Sequence, residues 1–346
     1  MRPRIIARIT TGAALALVLI AGSPPAQTAD IDYVALGDSY SSGTGARDYY
    51  DANCQRSQYG YPELTAQRIG ASLDLQACGG ATVASVRANQ LGTLDENTDV
   101  VTMTVGGNDA GFSDVLLECA KPGWMSDCGG AIDQAQAYIR DVLPGSLDAL
   151  YDQIASSAPN ATVVIGSYPR LFMGEDCNAL TWFSPEEQTR LNATADLLNS
   201  RIRDEASSAG FTFADPTSAF TGHAVCDDVE WINGLSDPVS ESYHPNRSGH
   251  SDGYTPMISS SLTGTATTVS ATTTARAEAA AAAQAERQRP RAEQDRTIEP
   301  KPVRVPDLDS PEIRAAAQRH GVDLSSRASI DAADRAWSRR QAADHR

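Results

Sequence analysis

Short apolar runs and amphipathic stretches alternate along most of this chain. Ile31 to Leu36 alternates and then fills in like a buried strand, stopping at Gly37. Leu73 to Ala77 is a second, shorter run. Val100 to Val105 is β-branched and apolar and ends at Gly106-Gly107-Asn108-Asp109. Ala161 to Ser167 opens into Tyr168-Pro169-Arg170, and Phe211 to Ala214 is the last strand-like run. Helical patterns lie between them. Tyr61-Pro62-Glu63-Leu64 starts a helix through Ile69, with Gly70 as the stop. Thr82 caps a helix through Asn89. Ala131 to Ser156 is helical in pattern and interrupted at Pro144. Ser184-Pro185-Glu186-Glu187 places Ser at the N-cap, Pro at N1 and Glu at N3 of a helix to about Ser208. Pro245 to Leu262 is helical at its end. This alternation predicts an α/β fold, a mostly parallel sheet with helices on both faces. In such a sheet, ligands bind where the strands end. Ser39, Gly79-Gly80 and Asn108 all follow strand ends.

The two ends of the chain are different material. Arg2, Arg4 and Arg8 precede an apolar core from Gly12 to Gly22 and then a stretch rich in small residues, the pattern of an export leader cleaved near Ala26 or Ala29. The apolar core is too short to span a bilayer, and no later stretch is long and apolar enough. Beyond residue 262 the sequence becomes Thr/Ala/Ser-rich and then Ala/Arg/Glu/Gln-rich. Pro-studded chain follows from Ile298 to Pro311, then two helix-like stretches from Ser310 and Asp331. The tail has too few apolar residues for a core of its own, and the expectation is a flexible extension packing loosely or not at all. The 346 residues therefore divide into a leader (1–29), a single α/β body (30–262) and an Ala/Arg/Pro-rich tail (263–346), partly helical or disordered.

Charge sharpens this division. Residues 30–262 carry 11 Lys/Arg against 32 Asp/Glu, whereas residues 263–346 carry 14 against 12. A strongly acidic body argues against binding nucleic acid and against electrostatic docking on anionic membranes. All six cysteines (Cys54, Cys78, Cys119, Cys128, Cys177 and Cys226) fall in the body. An even count behind an export leader favours three disulfides in a secreted, extracellular protein. Cys119 and Cys128 close a short loop and form the most natural pair, and the other connectivity stays open. No C-x-x-C and no H-E-x-x-H occurs, so no metal is expected.

The residues that suit nucleophilic catalysis are few. A hydroxyl nucleophile needs a base, a group that orients the base, and donors for the developing oxyanion. Ser39 lies in Gly37-Asp38-Ser39-Tyr40-Ser41-Ser42-Gly43, a turn at the end of the first strand. The body holds only His223, His244 and His250 as histidine bases. His244 sits in Glu241-Ser242-Tyr243-His244-Pro245-Asn246, where a long loop meets the last helix. His250, two turns on, suits packing or a cap. The G-x-S-x-G elbow of α/β-hydrolases is absent, because Ser41 stands where its second glycine would be.

Taken in order, Gly37-Asp38-Ser39, Gly80, Gly107-Asn108-Asp109 and His244 resemble the four blocks of the SGNH (GDSL) hydrolase family. With the leader, the six cysteines and Ser-Tyr-His-Pro-Asn, the chain is similar to that family's secreted actinomycete lipase and esterase branch. The resemblance covers about residues 31–262. It implies a three-layer α/β/α sandwich of flavodoxin-like type and a serine ester hydrolase with no cofactor. Ser39 would be the nucleophile and His244 the general base. The Ser39 and Gly80 amides and the Asn108 side chain would form the oxyanion hole. Asp38 and Asp109 would be scaffolding. The fourth block is usually Asp-x-x-His, and here Glu241 stands three before His244. Either its carboxylate or a nearby main-chain carbonyl, that of Ser242, would orient the imidazole. The branch also implies the pairs Cys54–Cys78, Cys119–Cys128 and Cys177–Cys226. The expected substrate is a carboxylic ester, lipid-like or fatty-acyl, turned over by a monomer. Tyr40, Tyr49, Tyr50, Trp182, Phe183 and Trp231 are candidates for an acyl groove. Two alternatives remain: a short-chain or carbohydrate acetyl esterase on the same scaffold, and a non-catalytic secreted binding protein.

Overall fold

The computed structural model describes residues 31–344 except 267, with side chains to residue 341. The expected leader, residues 1–29, lies outside the described residues. Strand β1 (Ile31–Gly37) is an inner strand of the sheet and runs directly into the turn that carries Ser39. Tyr33 and Ala35 pack on one side of it, and Val34 and Leu36 on the other. A five-stranded sheet forms around it with β4 (Ala71–Leu75), β5 (Val100–Thr104), β6 (Thr162–Gly166) and β7 (Thr212–Ala214). The order is β4-β1-β5-β6-β7, and every pairing is parallel. The strand order reverses between β1 and β5, where Gly37 is level with Thr104. In an open sheet of this order, a ligand crevice opens at that switch point.

Helices cover both faces. α1 (Ser39–Ser42) is a single turn directly after β1, and α2 (Tyr61–Ile69) ends at Gly70. α3 (Val83–Asn89) starts from a capping box between Thr82 and Ser85. α4 (Phe112–Cys119), α5 (Cys128–Asp141) and α6 (Leu143–Ser157) follow; the long pattern expected from Ala131 breaks before Pro144, which starts α6. α7 (Pro185–Ser208) carries the expected box between Ser184 and Glu187. A wide π turn (Gly249–Tyr254) runs into α8 (Thr255–Thr263). Helices α2 and α8 pack together on one face, and α3, α5, α6 and α7 on the other. The polar, aromatic loop from Ala46 to Gly60 contains a small hairpin, β2 (Tyr49–Asp51) with β3 (Arg56–Ser57), that its composition did not signal. The disulfides are Cys54–Cys78, Cys119–Cys128 and Cys177–Cys226. Among the described residues no helix is long and apolar enough to cross a membrane.

The tail departs from its expectation. It forms α9 (Ala271–Gln288), α10 (Ala292–Asp295), α11 (Pro311–His320) and α12 (Arg327–Asp344), and it wraps the body. α9 lies against α2 and β2. Asp295 pairs with Arg56, which is fully buried and also bonds Asp51 and the carbonyls of Gln76 and Ala77. At the far end, Ala316, Ala317 and Trp337 pack with Trp124. The Trp182 indole donates to Asp331, and the Gly123 amide to Asp334. Among the described residues, the apolar side chains of the tail pack against the body. Ile298 and Val303 are buried in the main cluster.

Candidate active site

The turn after β1 is built to present Ser39. Gly37 has φ +118°, and a Cβ there would lie 2.2 Å from the Thr104 carbonyl, so only glycine lets β1 turn this close to β5. The side chain of Gln90 pairs with both the N–H and the C=O of Gly37. Asp38 is the N-cap of α1 and accepts from the Tyr40 amide. Buried at 1% exposure, it also accepts from the hydroxyls of Thr104 (2.7 Å) and Tyr168 (2.5 Å). Burial pushes its pKa up to about 6, against the pull of these donors. These contacts tie Asp38 to β5 and to the loop after β6. Ser39 is left at the first position of α1, where the backbone N–H has no intrahelical acceptor.

His244 meets Ser39 from the far end of the chain. Its Nε2 lies 2.8 Å from Ser39 Oγ, and its Nδ1 lies 2.9 Å from the Ser242 carbonyl. An Nδ1–H donated to that carbonyl leaves Nε2 free to accept from the serine hydroxyl. The loop is clamped on both sides. Tyr243 adopts φ +60° and donates its amide to Asn233 O, while the Asn233 amide donates to His244 O. The Tyr40 hydroxyl donates to Tyr243 O at 2.8 Å. Protein surrounding the ring lowers the His244 pKa to about 4, and the Ser242 carbonyl offsets only part of that burial.

The carboxylate of Glu241 is turned away from His244. It is buried and accepts from Tyr49 OH (2.8 Å) and Arg47 Nε (3.1 Å), joining the loop to the stretch after α1. Of the two orienting groups expected from sequence, the carboxylate of Glu241 is therefore replaced by the carbonyl of Ser242. The physical reason is the competing pair of donors, Arg47 and Tyr49.

The second and third sequence blocks converge on the same edge. The Asn108 side-chain amide donates to Ala81 O at 2.9 Å, which fixes its plane and leaves its second N–H available. Asp109 accepts from the Val83 amide with both oxygens, so it anchors the start of α3. Gly80 lies between Gly79, whose amide donates to Cys54 O, and Ala81, whose amide donates to Cys78 O. His250 is fully buried, stacks on Tyr61 and accepts from the Tyr61 amide, so it caps α2. His223 stacks flat on Trp231 and lines neither cavity that holds Ser39.

Sequence reasoning missed Tyr168. Its hydroxyl donates to Asp38 and accepts from the Gly107 amide, which joins the first block to the third. The available signal was its place just after β6, at the edge where the other site residues lie. The expected aromatic groove also changes. Of the six candidates, only Tyr40 lines the pocket beside Ser39 and His244. Tyr168, Tyr243, Phe112, Leu116, Leu171 and Leu198 supply much of the rest of its wall. Tyr49 and Tyr50 bond Glu241 and Glu63, Trp182 holds the tail, Phe183 packs on Phe172, and Trp231 covers His223. Clusters of metal-ligating residue types among the described residues lie elsewhere. They are built on disulfide cysteines (Cys177 and Cys226 with Glu230; Cys54 with Asp51 and Asp295), and in the second the carboxylates are held by Arg56.

A parallel sheet that carries a hydrogen-bonded serine and histidine at its switch point, beside an apolar pocket, has the parts of a serine hydrolase. Residues 35–251 match the GDSL-like lipase/acylhydrolase family. A lipase from Streptomyces rimosus is 40% identical over 269 residues, covering 75% of this chain and 99% of the relative. The crystal structure of the extracellular lipase from Streptomyces rimosus superposes with a TM-score of 0.63 at 41% identity, over 67% of this chain and 99% of that one. Phospholipase A1 from Streptomyces albidoflavus NA297 does so with the same TM-score at 39% identity, over 67% and 100%. The chain belongs to the GDSL-like lipase/acylhydrolase family and is a carboxylic ester hydrolase.

Proposed function

We propose that this chain is a secreted, monomeric lipase or esterase that cleaves fatty-acyl esters through an acyl-enzyme on Ser39. The observation that carries this reading is the 2.8 Å approach of His244 Nε2 to Ser39 Oγ at the mouth of an apolar pocket. Ser39 Oγ attacks the ester carbonyl as His244 takes its proton. The amides of Ser39 and Gly80 and the free N–H of Asn108 hold the oxyanion. His244 then gives the proton to the departing alcohol, and a water activated by the same imidazole releases the acid. The Ser242 carbonyl stabilises the imidazolium in the place of a carboxylate. The apolar wall favours an acyl chain over a sugar. Three disulfides and the leader-like residues 1–29 suit export, and the Streptomyces rimosus relative is described as extracellular.

The test is a panel of p-nitrophenyl esters of rising chain length and of lipid head groups, with Ser39→Ala as control. The expected result is kcat/KM that holds or rises beyond butyrate and vanishes in Ser39→Ala. A collapse beyond butyrate would assign the site to short-chain or acetyl esters. No turnover of any ester would favour a binding protein.

A further inference from the structure

The family match ends at residue 251, yet the chain beyond it reaches the candidate site. Val303 is 5% exposed and lines the apolar pocket together with Ser39, Phe112, Leu116 and Leu171. Among the described residues it is the one lining residue of that pocket from beyond the matched region. Pro300, Lys301 and Pro302 line a second cavity, and the two cavities share Ser39, Asn108, Ser113 and His244. The crossing chain thus borders both sides of the candidate nucleophile. Its backbone also touches the candidate oxyanion donor. A Cβ on Gly80, which has φ +85°, would lie 2.4 Å from Glu299 O and 3.0 Å from Pro300 Cα.

The segment is fixed in place. Ser113 Oγ donates to Lys301 O at 2.8 Å, and Lys301 Nζ donates to Asn108 O at 3.2 Å. On one side Ile298 is buried in the main core and Asp295 holds Arg56. On the other, α11 and α12 are held at Trp124 and Trp182. Prolines at 300, 302 and 306 preset an extended backbone with fewer donors to satisfy, so the crossing needs no partner strand. A segment tied at both flanks and at its middle is a wall of the cleft.

We infer that residues 298–304 are a specificity-determining wall of the substrate cleft, and that Val303 sets the length of acyl chain the apolar pocket accepts. This rests on, and deepens, the reading of Ser39 as an acylated nucleophile. The remaining apolar lining comes from the body, so shortening Val303 enlarges the pocket and lengthening it fills the pocket. One methylene in an apolar pocket changes discrimination by about tenfold or more.

The test uses full-length Val303→Ala and Val303→Leu, with kcat/KM for p-nitrophenyl butyrate, octanoate and laurate, and melting temperatures alongside. The expected result is a laurate-to-butyrate ratio raised about tenfold in Val303→Ala and lowered about tenfold in Val303→Leu. If a lowered melting temperature shows that Val303→Ala undocks the segment, Val303→Leu decides alone. An unchanged ratio in Val303→Leu, or shifts in the same direction in two folded variants, overturns the inference. Turnover that survives Ser39→Ala overturns the underlying reading. Ser39-dependent turnover with unchanged ratios overturns this inference alone.

Discussion

The imidazole of His244 rests on the main-chain carbonyl of Ser242 at 2.9 Å, and the carboxylate of Glu241 takes no part in that contact. A backbone carbonyl carries a partial charge and cannot titrate, so its support for the imidazolium is constant with pH. Glu241→Gln should therefore leave kcat/KM within about threefold of the parent. It should lower stability by about 1–2 kcal/mol, since Arg47 loses its ionic partner and Tyr49 OH loses a charged acceptor. Steady-state kinetics and thermal melts on the same preparation check both halves. A kcat loss of several orders of magnitude would return the orienting role to Glu241.

Asn108 is positioned by one N–H and free with the other. As the proposed oxyanion donor it acts mainly in the transition state, so Asn108→Ala should lower kcat by about 10²–10³ and change KM little. The kcat-to-KM split in a p-nitrophenyl ester assay measures this. A rise in KM with unchanged kcat would make Asn108 a ground-state binding residue.

The pH profile follows from the burial of His244. As the proposed general base, His244 works when deprotonated, and burial lowers its pKa to about 4, below the ordinary 6.5. As pH falls, kcat/KM should hold through pH 6 and 5 and decline only as it approaches about 4. A profile of the free enzyme under buffers of constant ionic strength measures the acid limb. An acid limb centred at 6.5 or above would show that the imidazole is solvated during turnover.

Asp295 and Arg56 join the tail to the body in a pair that is 8% and 0% exposed at the side chains. Asp295→Asn should cost about 2–3 kcal/mol, less than a fully broken buried pair, because Asp51 and two carbonyls still hold Arg56. That corresponds to a melting temperature lowered by about 3–5 °C in the full-length protein. An unchanged melting temperature would mean that the tail adds nothing to the stability of the body.

What the sequence revealed, and what it hid, follows from the range of the interactions. The helix from Pro185 was legible because Ser184 and Glu187 cap it three residues apart. Strands β1 and β5 were legible because two faces must be apolar. Ser39, Asn108 and His244 could be singled out by their types at strand ends and by the scarcity of histidine. The docking of the tail could not. It depends on single side chains far apart in sequence, Arg56 with Asp295 and Trp124 with Trp337, and no periodicity encodes such pairs. The small number of apolar residues after 262 argued against a separate core. It did not exclude Ile298 and Val303 joining an existing one. The partner of His244 was hidden for a similar reason: Arg47, 194 positions before Glu241, decides where that carboxylate points. Tyr168 was legible only as an edge residue, because its two partners, Asp38 and Gly107, lie on other strands' loops.

The proposed mechanism turns on acylation of Ser39. Incubation of the full-length protein with an alkyl p-nitrophenyl phosphonate, followed by peptide mass mapping, tests it most directly. The predicted result is one adduct per chain, on the peptide containing Ser39, with activity lost in proportion and no adduct in Ser39→Ala. Stoichiometric inactivation with the adduct on any other residue would contradict it.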